Sequence, residues 1–124
     1  KKSTTMSKTV VLGARPDYSK YSYKCVKSLI RHGHEAIPVG KHPGKIENIE
    51  ILTGQPQIPD VHTVAIYLSP ADQKDYYEYI LTLNPSRIIF NPGTNQPELI
   101  NLAKEKGIKF VVDCALLLLN SDSF

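Results

Sequence analysis

A glycine-containing loop near the start of the sequence has the composition of a phosphate-binding turn. Gly13 directly follows the apolar run VVL, and a polar loop leads from it into a helix pattern that starts near Ser22. Glycine lets a ligand approach the backbone, and the free N–H groups of a helix N-terminus attract phosphate. The dinucleotide fingerprint GxGxxG is absent, because ARPD follows the glycine. The pattern therefore predicts either a phosphate-binding turn or a plain strand-to-helix connection.

The loop after the second apolar run is basic where NAD-binding domains carry a carboxylate. In those domains Asp or Glu accepts a hydrogen bond from the ribose 2′-hydroxyl. Here the place holds Gly40, Lys41 and His42, and Lys45 follows closely. Because lysines attract a phosphorylated ribose, this loop disfavours NAD and favours a phosphoadenosine ligand, for which coenzyme A and NADP both fit. The alternative is that these lysines belong to a solvated loop.

The cysteines and histidines form no recognised metal or redox motif. Cys25 and Cys114 are far apart and belong to no CxxC pair, and the four histidines are scattered. We therefore expect no metal site. Cys25 lies on an apolar helix face and is expected in the core, whereas Cys114 follows the last predicted strand and is either a buried thiol or a reactive one. Two such cysteines are typical of a reducing cytoplasm.

Composition indicates one globular domain. The 124 residues are 41% hydrophobic and 22% charged, values that allow a sizeable core. The net charge is only +3 and the basic residues are scattered among acids, so we expect no nucleic-acid partner. The apolar run at residues 115–119 is too short to span a membrane. Residues 1–7 lack the apolar segment of a secretory signal, and we expect them to be disordered, with the domain at residues 8–124.

Strand and helix patterns alternate along the rest of the chain. Apolar runs predict strands at residues 9–12, 36–39, 61–68, 87–90 and 109–112, and helical spacing predicts helices at 22–33, 70–83 and 97–107. This alternation predicts an α/β fold, a single three-layer Rossmann-like domain with a mostly parallel sheet of about five strands and helices on both faces. In such sheets ligands bind at the carboxyl ends of the strands, so four loops are expected to meet there: 13–21, 40–45, 69–70 and 91–93.

With these loops placed, the sequence resembles the small single-domain CoA-binding protein family. It resembles more distantly the N-terminal CoA-binding domain of the succinyl-CoA synthetase alpha subunit. Residues 10–39, VVLGARPDYSKYSYKCVKSLIRHGHEAIPV, resemble the family's V-V-G-A-S-x-x-P-x-K-x-S-Y pattern, its helix ending in H-G and its I-P-V strand. HPGK at 42–45 resembles the synthetase's N-P-G-K loop, AIYLSP at 65–70 its V-I-Y-V-P-P strand end, and NPG at 91–93 falls where the family has Q-x-G or T-E-G. The resemblance covers residues 8–119.

The resemblance implies a CoA or acyl-CoA ligand held at the strand ends. By transfer, the residues expected against the phosphates are Gly13, Ala14, Arg15, Lys20 and Ser22. Those expected beside the adenosine phosphate end are Val39, Gly40, Lys41 and Lys45, with Tyr67, Ser69 and Pro70 covering that end. Those expected along the pantetheine arm are Phe90, Asn91 and Pro92.

Some positions depart from the family pattern. Arg15 replaces a serine, where it either adds a phosphate contact or fills the site; Gly40 and Lys41 replace Asn-Pro; and DCA at 113–115 stands where Asp-Arg-Cys is expected. The synthetase's phosphohistidine belongs to a second domain outside this sequence, so we expect a non-catalytic CoA-binding protein. Two alternatives are an NADP-type nucleotide-binding domain of an oxidoreductase and a protein-interaction domain whose site has decayed. The sequence does not distinguish a free CoA ligand from an acyl-CoA ligand. It is also compatible with either a monomer or a homodimer.

Overall fold

A parallel sheet forms the centre of the molecule. The computed structural model describes residues 7–124. The strands in this part of the chain are β1 (Lys8–Leu12), β2 (Glu35–Gly40), β3 (Lys45–Ile46), β4 (Ile49–Glu50), β5 (Leu52–Thr53), β6 (Thr63–Ile66), β7 (Arg87–Phe90) and β8 (Lys109–Val112). Six of them form one sheet in the order β5-β2-β1-β6-β7-β8, and each neighbouring pair is parallel. Strands β3 and β4 form a separate antiparallel hairpin.

Helices cover both faces of this sheet and make it the middle of three layers. They are α1 (Tyr21–Arg31), α2 (Pro70–Gln73), α3 (Tyr77–Leu83), α4 (Pro97–Glu105) and α5 (Ala115–Asn120). Buried residues of α3 and α4 pack on one face and those of α1 and α5 on the other. Within residues 7–124, no helix combines the length and apolar character needed to cross a membrane. The predicted three-layer α/β fold is thus confirmed.

The central strands are apolar on both sides because both sides are covered. Val10 belongs to one core cluster and Val11 to the other, and both are fully buried. Ile88 and Ile89 of β7 divide between the two clusters in the same way. Burying one such side chain stabilises the fold by about 1.5–3 kcal/mol. The continuous apolar runs of the sequence, which place buried side chains on both faces of the strands, therefore contribute much of the sheet's stability.

The helix predicted at 70–83 is divided in the structure. α2 ends at Gln73, a 3₁₀ turn spans Lys74–Tyr76, and α3 then continues to Leu83. The two halves are held at different places: the buried Gln73 side chain donates to the Leu68 carbonyl, and the Tyr79 hydroxyl donates to the Pro56 carbonyl. The tighter turn between them joins two helices with separate anchors.

The N-terminal segment is described only at its last residue. The expectation that residues 1–7 are disordered concerns residues 1–6, which lie outside the described part of the chain. Ser7 lies inside it, and its Oγ is 2.8 Å from Nδ1 of His34. The Ser7 carbonyl also accepts a hydrogen bond from the N–H of Glu35, which extends the β1–β2 pairing by one residue.

Candidate functional site

The loop after β1 is held by close backbone contacts. Gly13 has a φ of +95°, and a Cβ there would lie 3.0 Å from the backbone nitrogen of Leu68. The N–H groups of Gly13 and Ala14 both donate to the Val39 carbonyl, at 2.8 and 3.0 Å. A Cβ on Gly40 would collide with the Ala14 carbonyl oxygen. These two N–H groups therefore tie the loop to β2, and a ligand would have to find its donors elsewhere.

Free backbone donors occur at the start of α1. Lys20 is the N-cap residue, makes no side-chain capping bond, and is followed by a first turn without an acidic residue. The first three N–H groups of α1, at residues 21–23, have no hydrogen-bond partner among residues 7–124. The Arg15 N–H donates to the Ser22 hydroxyl at 3.3 Å, which holds the loop against this helix end. Such an uncapped N-terminus attracts an anion through its N–H groups and dipole.

A cavity of about 170 Å³ lies between the loops that follow β1, β2 and β6. We call it the charged cavity; it is lined by Gly13, Ala14, Arg15, Pro16, Lys41, His42, Tyr67, Leu68, Ser69 and Asp72. The Lys41 ammonium lies 3.6 Å from the Asp72 carboxylate, and both side chains are about half exposed. Such an exposed pair contributes little stability. Arg15 has no ion-pair partner among the described residues, so its charge is available to a ligand.

A second cavity, of about 480 Å³, lies beside the first. We call it the apolar cavity; it is lined by Tyr21, Tyr67, Asn91, Pro92, Cys114, Leu116 and Leu117. Its shape depends on Asn91, which is buried: the side-chain amide donates to the Ile66 carbonyl at 3.0 Å and accepts from the Ala115 N–H at 2.9 Å. Both polar atoms of Asn91 thus position β6, β7 and α5 relative to one another.

Tyr67 lines both cavities and carries an unpaired hydroxyl. This oxygen is buried and forms no hydrogen bond with the described residues, although it lies close enough to the Cys25 thiol for each group to affect the ionisation of the other. Burial, and then the neighbouring Cys25, raise the pKa of Tyr67. Burial likewise raises the pKa of Cys25 to about 12. Both groups are therefore neutral at physiological pH.

The two thiols have different surroundings. Cys25 is fully buried, as its position on the apolar face of α1 predicted, whereas Cys114 is partly buried and lines the apolar cavity. In the described part of the chain, no three His, Cys, Asp or Glu side chains come together as a metal-ligand group.

The structure brings most of the residues named from the sequence to one edge. Residues that line a cavity are Gly13, Ala14, Arg15, Lys41, Tyr67, Ser69, Asn91 and Pro92. Residues that support the cavities without lining them are Lys20 and Ser22 at the start of α1, Val39 and Gly40 at the end of β2, and Pro70 at the start of α2. Lys45 is exposed on the β3–β4 hairpin, and Phe90 is fully buried, 6.3 Å from the Phe110 ring.

Other lining residues were not assigned to the site from the sequence. His42 and Asp72 lie within or beside loops that had been placed there, so topology could have included them. Leu116 and Leu117 belong to α5. From the sequence, the run at 115–119 is interpreted only as a possible membrane segment, so these two residues are not expected in the site. Ala115 and Leu119, four residues apart, are buried at helical spacing, but in a run of five apolar residues the sequence does not reveal this face, so no sequence signal identified α5.

Solved structures share this architecture. An uncharacterized protein known from a crystal structure is 42% identical, with a TM-score of 0.94 over 98% of this chain and 100% of that chain. A Thermus thermophilus protein has a TM-score of 0.82 at 22% identity and covers 96% and 91% of the two chains. A hypothetical protein from Pyrococcus horikoshii has 0.80 at 19%, covering 94% and 83%. The last two likenesses support the fold alone. A comparison with curated proteins gives no match.

A family comparison covers nearly the whole described chain. The sequence model of a family described as "CoA binding domain" matches residues 7–120, from the start of β1 to the end of α5. The match includes both cavities and the start of α1. The chain therefore belongs to this family of CoA-binding domains.

Proposed function

We propose that this chain is a cytoplasmic, non-catalytic protein that binds CoA or acyl-CoA at the carboxyl edge of the sheet. One observation carries the proposal: the charged cavity and the apolar cavity share Tyr67, and the uncapped start of α1 lies where they meet. Tyr21 of α1 lines the apolar cavity, and Ser22 accepts from Arg15 of the charged one. A ligand with an anionic end and an uncharged arm matches this order of groups.

The phosphates would bind through side chains and the helix end. Arg15 and Lys41 line the charged cavity, and Lys20 begins α1. Hydrogen bonds between cations and phosphate oxygens are about twice as strong as neutral ones. In this arrangement Lys41 exchanges its half-exposed contact with Asp72 for a phosphate, at little loss of stability. The N–H groups at residues 21–23 would receive the pyrophosphate.

The pantetheine arm would occupy the apolar cavity. Its lining consists of aromatic, aliphatic, amide and thiol side chains, with no charged residue in the set. This favours an uncharged arm, and a thiol or acyl end near Cys114.

Calorimetric titration with CoA, 3′-dephospho-CoA and NADPH tests the proposal. We expect CoA to bind, and dephospho-CoA to bind about tenfold more weakly because one charge-assisted phosphate contact is lost. Arg15→Ala and Lys41→Ala should each weaken CoA binding by about tenfold or more. Lys106→Ala is the matched control, since that exposed lysine at the end of α4 lies outside both cavities. Absence of heat and of thermal shift with millimolar CoA would overturn the proposal, and binding of NADPH alone would favour the oxidoreductase alternative.

A further inference from the structure

The two edges of the sheet differ in length and exposure. The β5 edge is only two residues long, whereas β8 presents four residues at the other edge. Val111 is 37% exposed and Val112 53% exposed, although both belong to a strand. Edge strands with exposed apolar side chains are templates for pairing with another strand.

The free edge of β8 carries the backbone groups of alternate residues. The Asp113 N–H donates to the Phe90 carbonyl at 3.1 Å, and Val111 lies opposite Ile89 in the parallel register. In a parallel ladder successive residues direct their N–H and C=O groups to opposite sides. Residues 109, 111 and 113 therefore bond towards β7. The backbone groups of Phe110 and Val112 point away from the sheet and have no strand partner among residues 7–124.

We propose that β8 pairs with β8 of a second copy of this chain, antiparallel and about a twofold axis at Val111. In this register Phe110 lies opposite Val112 of the second copy, and the outward backbone groups of both residues form the hydrogen-bonded pairs. Val111 then faces its own symmetry mate, and the sheet continues through both copies. A twofold interface is self-complementary, as a single exposed strand edge requires.

Charge selects this register and a second copy as the partner. The strand and its next residue read KFVVD, so a twofold at the centre places Lys109 opposite Asp113 of the second copy at both ends. Both side chains are exposed, and neither forms an ion pair with the described residues. A twofold at Phe110 would place Lys109 opposite Val111, and one at Val112 would place Val111 opposite Asp113. Only the Val111-centred register pairs opposite charges directly across the strands.

The structure also explains why an edge lysine does not prevent this pairing. A lysine on an edge strand normally discourages association because its charge would be placed against another strand without compensation. Here the chain supplies the compensating carboxylate four residues later, at Asp113, one residue beyond the end of β8. Lysine and aspartate at the two ends of the strand thus specify an antiparallel partner and reject a parallel one, which would bring like charges together.

Sedimentation equilibrium of the full chain tests the proposal by charge reversal. We expect the wild type to have twice the chain mass of 13.9 kDa. Lys109→Glu places two acids opposite each other and Asp113→Lys places two lysines opposite each other, so each variant alone should sediment as a monomer. An equimolar mixture of the two should recover the dimer mass, because the mixed pair restores both contacts. Lys106→Glu, an exposed lysine just before β8, is the matched control and should remain dimeric.

Two further measurements keep the result independent of folding defects. Val112→Pro removes an outward N–H without removing a bond to β7. This variant should therefore remain folded by circular dichroism and sediment as a monomer. Amide exchange at Phe110 and Val112 should be slow in the wild type and fast in Lys109→Glu, while exchange at Val111 stays slow in both. A wild type that stays at 13.9 kDa at its solubility limit would overturn the proposal, as would a dimer that the two charge reversals leave intact.

Discussion

The two cavities at the carboxyl edge are built in different ways. The charged cavity rests on backbone: two N–H groups share the Val39 carbonyl, and Gly40 approaches the Ala14 carbonyl too closely for a Cβ. The apolar cavity rests on a side chain, because the amide of Asn91 bonds to the end of β6 and to the start of α5. One region therefore depends on the absence of side chains, and the other on the presence of one.

This difference has consequences for ligand binding and for mutation. A phosphate needs donors at fixed positions, and the close backbone packing holds in place the loop that carries Arg15. An uncharged arm needs space and a boundary, and α5, anchored by one buried amide, supplies that boundary. We therefore expect the charged cavity to be sensitive to added atoms and the apolar cavity to be sensitive to removed ones.

The largest expected effect is that of Asn91→Ala. The change leaves the Ile66 carbonyl and the Ala115 N–H without their side-chain partner. Each buried unpaired group costs about 1–3 kcal/mol, so the loss of both should lower the free energy of unfolding by about 2–6 kcal/mol in urea denaturation. Asn95→Ala, an exposed asparagine of the same loop, is the control and should change it little. Equal stability of the two variants would show that the amide does not hold the apolar cavity together.

The next effect is that of Gly40→Ala on the charged cavity. The added methyl group meets the Ala14 carbonyl, so the loop after β1 must shift away from β2. Overpacking of this kind costs about 1–3 kcal/mol of stability, and the shift should also weaken CoA binding. Gly54→Ala is the control for affinity: a Cβ there meets no atom within 4 Å, but the φ of +78° costs alanine about 1–2 kcal/mol, so this variant should lose stability without losing CoA affinity. If Gly40→Ala loses neither stability nor affinity, the backbone contact is not what shapes this cavity.

Much of the fold could be predicted because it depends on local sequence pattern. Strands β1, β7 and β8 lie within one residue of their predicted bounds, since buried parallel strands appear as short apolar runs between turn residues. The short β5 was not predicted as a separate strand, because two residues carry no period. Helix α5 was not predicted either, because its six residues form too short a pattern to separate from a loop.

The site could be predicted only to the level of its loops. Strand order brings the loops after β1, β2, β6 and β7 to one edge, and the sequence predicted that edge. Which atoms remain free depends on contacts between distant residues. Asn91 had been assigned to a ligand arm, but its amide bonds to residues 24 and 25 positions away. Sequence patterns contain no information on such pairings.

The third effect concerns the buried Cys25 thiol near the shared Tyr67. Burial raises the pKa of Cys25 to about 12, above its ordinary value of 9.0, so the folded state holds the proton more tightly than the unfolded state. The resulting stability is fully present below pH 9 and is lost progressively between pH 9 and pH 12. Removing this group with Cys25→Ala should lessen the fall in unfolding free energy between pH 8 and pH 10 by about 1 kcal/mol. Val26→Ala, which removes a buried side chain of α1 that has no ionisable group, is the control and should leave that fall unchanged. An equal effect of both variants would show that the fall does not come from the buried thiol.

The smallest expected effect is a gain of affinity from Asp72→Asn. The Asp72 carboxylate lies in the charged cavity, pairs with Lys41 at 3.6 Å and would stand near the phosphates of the proposed ligand. Removing one partly screened like charge should tighten CoA binding about threefold and free Lys41 for the ligand. Calorimetric titration at low and high salt measures the CoA affinity of the wild type and of the variant. The gain in affinity should shrink at high salt because exposed charges are screened. Asp75→Asn, an exposed carboxylate of the adjoining 3₁₀ turn that lines neither cavity, is the control. Equal gains from both variants would mean that general charge, and not the position of Asp72 in the cavity, governs the attraction.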